Sequence, residues 1–400
     1  MPIWGSDTDQ LSREMWNNLV GNQCYDDAFK INYSALRRPT VLKTGFPCPD
    51  YTTIGSNKGM KGRNGWQYVK QSGIIKQISP DVAVIEQTDS VTEHPEEVKL
   101  LTDDLSTDYI IHQISIPVWI HGDPSNRNRF IIIAWHKRLG DAAHEYQFPA
   151  ATFNTQHYHT AADIAVPDDQ VPPEYILHGE PTEIYEWTEP TPGKIHHLGN
   201  YGEGIGHCHN PHPLHSWYGM ANTQLSSNGG ARRVMLNWRP GQPVYKTRLT
   251  VPIETIRMAS LSHTYLDWAR SFDSNDQFMR RCVNNGVPMR TSTAIDQSII
   301  QTLIQAGVHP DVPASRPQHT ASEANIWDVN THRNWYIRSM LVDTGATGNL
   351  NYTDIESLLK HATDSRYRIA VAKGDTFMEG SRDGKLDVMV LNTAAQEGFQ

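Results

Sequence analysis

Three runs rich in valine and isoleucine, all between residues 66 and 135, constrain the fold of this chain most. They cover residues 74–87, 109–120 and 130–135. In each run apolar residues dominate or alternate with polar ones, as in strands packed on one or both faces. The links between the runs carry turn residues, such as His-Gly-Asp-Pro-Ser-Asn at 121–126. Strands joined in this way, without a long helix between them, predict an antiparallel sheet in a sandwich or barrel.

Long loops are the second feature of the sequence. Residues 137–245 hold few apolar runs but many proline, glycine, histidine and acidic residues. Their tyrosine and tryptophan content argues against disorder, so we expect ordered surface loops. Residues 259–330 are expected to be mainly loops and short helices.

Apolar spacing predicts further elements outside the three runs. The predicted helices cover part of residues 1–20 and residues 261–272, 277–283, 293–306 and 352–361. The predicted strands cover residues 245–258, 335–342, 368–372 and 386–391.

Charge and cysteine spacing limit the classes of function. The chain has 44 acidic against 35 basic residues and no basic arm at either end, which argues against neutralising many phosphates with a tail. Four widely spaced cysteines (Cys24, Cys48, Cys208 and Cys282) predict free thiols in a reducing compartment. The first residues show no signal-peptide pattern, and no apolar run is long enough for a membrane span, so we expect a soluble, intracellularly made protein.

A histidine cluster between residues 196 and 215 is the clearest local motif. On a strand, His207 and His209 would point to one face, as a two-histidine metal site requires, and His212 follows closely. The prolines at 211 and 213 break regular structure there, so the alternative is a histidine-rich loop that forms hydrogen bonds across an interface.

An acidic group at Asp103 and Asp104 is the second candidate metal site, because neighbouring carboxylates hold calcium or magnesium. A solvated turn is the alternative. The sequence shows no dinucleotide fingerprint, phosphate-binding loop, nucleophile elbow or zinc-protease motif. We therefore expect a non-enzyme that requires no cofactor, with a divalent cation as an option.

One segment resembles the coat proteins of parvoviruses, especially the small densoviruses of arthropods. The resemblance rests on a tryptophan-bearing segment after Gly65, the Val-Ile-Glu-Gln-Thr at 84–88, the Leu-Thr-Asp-Asp-Leu-Ser-Thr at 101–107, and the Ile-Pro-Val-Trp at 116–119. It implies a mostly β protein, a single antiparallel jelly-roll β-sandwich over residues 1–400 with long surface loops and a few helices.

The resemblance also implies a function. Sixty copies would assemble into an icosahedral virion shell around single-stranded DNA, inside the host cell and in its nucleus, and the shell would bind a host-cell receptor. Two alternatives stay open: a cupin-like, metal-dependent β-barrel enzyme that uses the histidine cluster, and another assembly or binding module.

Overall fold

The computed structural model describes residues 2–52, 57–178, 181–202, 212–222, 234–236, 247–272 and 276–308, and the strands at 367–371, 376–380 and 386–390. The chain divides into two compact units. The first comprises Met1–Ala259 and Thr264–Gly307, and the second comprises Ser260–His263 and Val308–Gln400.

Helices occur throughout the first unit and at its carboxyl end. They are α1 (Gln10–Val20), α2 (Trp66–Ile78), α3 (Pro95–Leu105), α4 (Asp141–Glu145), α5 (Pro252–Met258), α6 (His263–Phe272), α7 (Gln277–Asn285) and α8 (Met289–Gln305). Within the described ranges, no helix has the length and apolar character needed to cross a bilayer.

The strands form four separate sheets. They are β1 (Gly5–Ser6), β2 (Cys24–Tyr25), β3 (Val41–Gly45), β4 (Val82–Thr88), β5 (Tyr109–Pro117), β6 (Asn128–His136), β7 (Pro181–Ile184), β8 (His197–Tyr201), β9 (His212–Ser216), β10 (Val234–Leu236), β11 (Arg248–Leu249), β12 (Tyr367–Val371), β13 (Thr376–Gly380) and β14 (Leu386–Val390).

The central sheet has the strand order β3-β4-β6-β5. Strands β3 and β4 are parallel, whereas β6 runs antiparallel to both β4 and β5. Parallel neighbours need a crossover connection, and α2 provides it. Ile75 of α2 and Leu101 of α3 pack in one core cluster with Ile85 and Ile132 of the sheet. The residues at 130–135 are all buried, so β6 is covered on both faces.

The jelly-roll sandwich is therefore wrong, and helices between the strands are the reason. The run at 74–87 begins with the end of α2, and only Val82 onward is strand. Isoleucines at 74, 75 and 78 also fit one face of a helix, and periodicity does not separate the two structures over so short a run. The link before β5 contains α3, which starts with proline in its first turn followed by Glu96 and Glu97.

Three smaller sheets complete the described structure. In the first unit β1 pairs with β2 in parallel, and a mixed five-stranded sheet has the order β11-β10-β9-β8-β7. In the second unit β12, β13 and β14 form an antiparallel meander.

The other predicted elements had mixed outcomes. The helices near residues 10–20, 261–272, 277–283 and 293–306, the strand at 130–135 and the closing strands at 368–372 and 386–391 are confirmed within a few residues. The strand predicted at 245–258 is wrong, because from residue 247 onward, where the structure describes it, the segment holds only the two-residue β11 and then α5, which starts at Pro252. The elements predicted at 335–342 and 352–361 lie outside the described residues.

Candidate active site

The carboxyl ends of β3 and β4 meet at one edge of the central sheet because the two strands are parallel. Cys48 follows β3 by three residues, and Glu86 lies in the second half of β4, opposite Gly45. Strand β6 runs the other way, so its second residue, Arg129, reaches the same edge and pairs with Thr88. The topology thus gathers a thiol, a carboxyl group and a guanidinium group from three strands.

Glu86 and Arg129 form an ion pair at this edge. Nε of Arg129 lies 2.6 Å from Oε1 of Glu86, and the two side chains are only 11% and 23% exposed, respectively. A Cβ atom at Gly45 would lie 3.3 Å from Oε2 of Glu86, so glycine leaves room for the carboxyl group. Burial raises the pKa of Glu86, while the charge of Arg129 opposes that rise. The carboxyl group therefore retains a proton more readily than an exposed glutamic acid and is suited to donate one.

Cys48 is a free, half-buried cysteine beside this pair. Burial raises the pKa of its thiol, the positive charge of Arg129 lowers it, and the negative charge of Glu86 raises it. The thiolate is the nucleophilic form of cysteine, so Arg129 is placed to stabilise the reactive form. A nucleophile, a proton donor and a cation at one sheet edge are the parts needed for covalent catalysis.

Two arginines, one in β6 and one just before it, tie the site to the end of α7. Arg127, which is 6% exposed, donates to the carbonyl oxygen of Val283 at 3.1 Å and also to that of Asn284. Arg129 donates to the carbonyl oxygen of Gly286 at 3.3 Å. The negative end of the α7 dipole thus lies against these guanidinium groups and helps to hold them.

Asp123 fixes the start of α8 in the same region. Its fully buried carboxylate accepts hydrogen bonds from the backbone N–H of Thr291 at 2.9 Å and from the Thr291 hydroxyl at 2.6 Å. This supplies acceptors for donors that have no partner within the first turn of a helix. The loop before β6 and the last helix of the unit are therefore joined next to the site.

The predicted metal-binding residues that the structure describes lie on separate elements. His207 and His209 lie outside the described residues, and His212 is the first residue of β9. Asp103 and Asp104 lie on α3, where they form ion pairs with Lys99 and Lys76. Across the described ranges there is no group of three or more histidine, cysteine and acidic side chains that could hold a metal ion. Metal binding by these five residues stays a prediction.

Cys48, Glu86 and Arg129 were all missed by the sequence analysis. The available signal was a single cysteine between Pro47 and Pro49, three residues after the end of β3. A lone cysteine in an enzyme is a candidate nucleophile. The partners of that thiol carry no local motif, because only the strand order places them beside it.

Comparisons with known proteins identify the family. A sequence model of C-5 cytosine-specific DNA methylases matches residues 2–301. The type II methyltransferase M.HhaI of Haemophilus parahaemolyticus is 24% identical over 233 residues, which are 57% of this chain and 68% of that protein. M.HaeII of Haemophilus aegyptius is 23% identical over 181 residues, 44% of this chain and 54% of that protein. The chain thus spans between half and about two thirds of the length of these relatives.

Solved structures show the same fold. The Dnmt2 methyltransferase of S. pombe matches with a TM-score of 0.52 and 11% identity, covering 76% of this chain and 91% of that one. A putative DNA modification methyltransferase encoded within an E. coli prophage matches with a TM-score of 0.51 and 14% identity, covering 76% and 93%.

These matches overturn the coat-protein interpretation. A methylase family model covers most of the chain, so the resemblance to densovirus coats is wrong. The predictions that followed from it are wrong too: that the protein is not an enzyme, that sixty copies form a shell around single-stranded DNA, that the shell binds a receptor, and that the protein is located in a virion. The cupin-like enzyme is wrong for the same reason. The strand segments that carried the resemblance lie instead at the edge of the central sheet where Cys48, Glu86 and Arg129 meet. The chain belongs to the family of C-5 cytosine-specific DNA methylases.

Proposed function

We propose that this chain transfers a methyl group to carbon 5 of cytosine in DNA, with Cys48 as the nucleophile. The observation that carries the proposal is the position of Cys48 beside the Glu86–Arg129 ion pair, where both charges act on the thiol. Family membership supports the substrate class.

The chemistry of cytosine explains why these three groups are needed. Carbon 5 of the ring is a weak nucleophile, but it becomes enamine-like when a nucleophile adds to carbon 6. The Cys48 thiolate forms the sulfur–carbon 6 bond, and the electrons of the carbon 5–carbon 6 double bond are displaced into the ring toward N3. Glu86, whose pKa is raised by burial, donates its proton to N3 and neutralises that charge.

The second half of the reaction restores the enzyme. A bound sulfonium donor would supply the methyl group to carbon 5 and leave as a neutral thioether that keeps the methyl–sulfur electron pair. Carbon 5 then loses its proton to a base, the electrons of that carbon–hydrogen bond re-form the carbon 5–carbon 6 double bond, and the sulfur–carbon 6 bond breaks with its electron pair on Cys48. The N3 proton returns to Glu86. Arg129 stabilises the departing Cys48 thiolate and keeps the Glu86 carboxyl group in place through the 2.6 Å contact.

S-adenosylmethionine supplies the methyl group in methyltransferases of this family, so the expectation of no cofactor is not confirmed. One residue fits the nucleoside end of this donor. Asp7 directly follows β1 and is exposed, and an acidic residue at the carboxyl end of a parallel strand is placed to hold ribose hydroxyls. The turns after β1 and β4 hold no glycine, so the fitted partner found at these strand ends serves the nucleoside end of the donor.

DNA contact requires local rather than net positive charge. Lys58, Lys61 and Arg63 are exposed in the loop that connects Cys48 to α2, although the whole chain carries a formal charge of −9. These cations are placed to neutralise phosphates next to the target base. The base itself has to leave the helical stack to reach the thiol, as enzymes acting on a base within a duplex require.

Methylation of duplex DNA with labelled S-adenosylmethionine tests the proposal. We expect 5-methylcytosine in digested DNA from the native protein and none from Cys48→Ser, whereas Cys282→Ser, which changes another half-buried cysteine, should keep activity. A duplex with 5-fluorocytosine should form a stable adduct on Cys48, because fluorine cannot leave carbon 5 as a proton does. Methylation that persists in Cys48→Ser, or methyl groups found on the exocyclic nitrogen, would reject the mechanism.

A further inference from the structure

The loop that follows Cys48 is closed at its base by hydrogen bonds. The backbone N–H of Tyr51 donates to the carbonyl oxygen of Cys48 at 2.8 Å. The N–H of Gly59 donates to the carbonyl oxygen of Asp50 at 2.8 Å, and the Ser90 hydroxyl donates to that of Tyr51. Any movement of this loop base therefore moves the turn that contains Cys48.

Glu97 of α3 joins the two ends of this loop. Its carboxylate accepts a hydrogen bond from the Tyr51 hydroxyl at 2.7 Å and from the backbone N–H of Met60 at 2.9 Å. Tyr51 is fully buried and Glu97 is 9% exposed, so water competes weakly for these bonds. Hydrogen bonds to a carboxylate are stronger than neutral ones, and burial makes their loss more costly.

The Glu97 carboxylate lies very close to the loop backbone at Gly59. Gly59 has φ +54°, and a Cβ atom there would lie 2.4 Å from Oε1 of Glu97. Burial and the neighbouring Glu97 raise the pKa of Tyr51, so its hydroxyl stays protonated and remains a donor. The rings of Tyr68 and His94 pack against Tyr51 at centroid distances of 5.4 Å.

We propose that Glu97 is a positioning residue for the nucleophile. Through Tyr51 and Met60 it holds the loop base in place, and thereby keeps Cys48 beside Glu86 and Arg129. The role of this placement in catalysis rests on the proposed methyl transfer, but the placement itself is measurable without any reaction. The bonds of the Glu97 carboxylate go to the loop and not to the thiol or its two charged neighbours, so Glu97 acts through the loop.

The rate at which the Cys48 thiol is alkylated tests the proposal, because alkylation requires the thiol to be exposed. Iodoacetamide would be added to the native protein, Glu97→Gln, Tyr51→Phe and the matched control Glu96→Gln, which removes an exposed carboxylate in the same first turn of α3. Alkylation would be followed for each cysteine by peptide mass spectrometry. We expect Cys48 to react about tenfold faster in Glu97→Gln and Tyr51→Phe, which corresponds to the loss of one charged hydrogen bond.

Cys24 and Cys282 serve as internal references in each variant, because general destabilisation would accelerate all three thiols together. Tyr51→Phe keeps the carboxylate and the ring but removes the hydroxyl, which also contacts the carbonyl oxygen of Gly65 at 2.9 Å. It therefore tests the same attachment of the loop base if Glu97→Gln does not fold. Two results would overturn the proposal. One is alkylation of Cys48 in Glu97→Gln and Tyr51→Phe at a rate within about twofold of that in Glu96→Gln. The other is equal acceleration of Cys24, Cys48 and Cys282 in these variants.

Kinetics give a second, separate readout. In both variants we expect kcat for methyl transfer to fall about tenfold with KM for DNA unchanged, because the loss affects the placement of the reacting atom and not the contacts to phosphate. A rise in KM with unchanged kcat would instead make Glu97 a DNA-binding determinant and reject its positioning role. If the native protein shows no methyl transfer, the proposed function fails, while the alkylation rates still decide the role of Glu97.

Discussion

Arg129 Nε lies 2.6 Å from Glu86 Oε1, and this one contact sets charges of opposite sign beside the same cysteine. The Arg129 charge lowers the pKa of Cys48, and the Glu86 charge raises it. Substitution of each partner should therefore shift the thiol in opposite directions.

Glu86→Gln removes the negative charge, so we expect the pKa of Cys48 to fall and its alkylation at mildly alkaline pH to become faster than in the native protein. Arg129→Gln removes the positive charge, so the pKa should rise and alkylation should slow. The measurement is the rate of Cys48 alkylation as a function of pH between about 7 and 10, a range that brackets the ordinary thiol pKa. Shifts of the same sign in both variants would mean that changed burial, and not charge, controls the thiol.

Removal of the exposed loop cations should weaken DNA binding through its electrostatic part. For Lys58→Ala, Lys61→Ala and Arg63→Ala combined, we expect the slope of log K against log salt to become shallower by about 0.9 for each phosphate that is no longer neutralised. Titrations of a labelled duplex at several salt concentrations measure this slope. Lys99→Ala, an exposed cation on α3, is the control and should leave it unchanged; an unaltered slope in the triple variant would remove this loop from the DNA interface.

Gly59→Ala should cost more stability than its matched control, Gly202→Ala. Both glycines have φ +54°, so an alanine has the same left-handed backbone strain of about 1 kcal/mol at either position. Only at Gly59 does the added methyl group meet the Glu97 carboxylate, whereas at Gly202 none of the residues that the structure describes lies within 4 Å of it. Urea unfolding should show the difference, and Cys48 alkylation should be faster in Gly59→Ala alone. Equal costs would show that the loop relaxes freely around Glu97.

The ion pair between Arg248 and Glu254 should be a major determinant of stability in the first unit. Both side chains are buried, with Nη2 2.8 Å from Oε1, and the same carboxylate accepts the N–H of Val166 at 2.7 Å. Glu254→Gln removes the buried charge partner of Arg248 and leaves its guanidinium group paired only with the more exposed Asp168, whose Oδ1 lies 3.0 Å from Nε. We therefore expect a loss of about 3 kcal/mol in the free energy of unfolding.

Asp103→Asn provides the comparison for that loss. Asp103 pairs with Lys99 on the surface of α3, with side chains 62% and 70% exposed, and such pairs contribute about 0.5 kcal/mol or less. Denaturant unfolding of both variants gives the comparison. A similar small loss in the two would mean that the buried pair is compensated by its surroundings.

Local patterns predicted single elements well where one interpretation dominated. The helices near 261–272 and 293–306 and the strand at 130–135 have clear periods and ends, and all three formed. The error arose at residues 74–87 and 95–105. The isoleucine-rich residues before Pro80 form the end of a helix. Asp103 and Asp104, for which a solvated turn was the alternative to a metal site, lie in another helix that begins at Pro95.

The sequence by itself determined the strand at 130–135 and the free thiols of Cys24, Cys48 and Cys282, because apolar periodicity and cysteine spacing are properties of the chain alone. Only the tertiary structure decided that Cys48, Glu86 and Arg129 meet. Their encounter depends on a parallel pairing of β3 with β4 and an antiparallel pairing of β4 with β6, and pairing partners far apart along a chain are selected by the packing of the whole sheet under its helices.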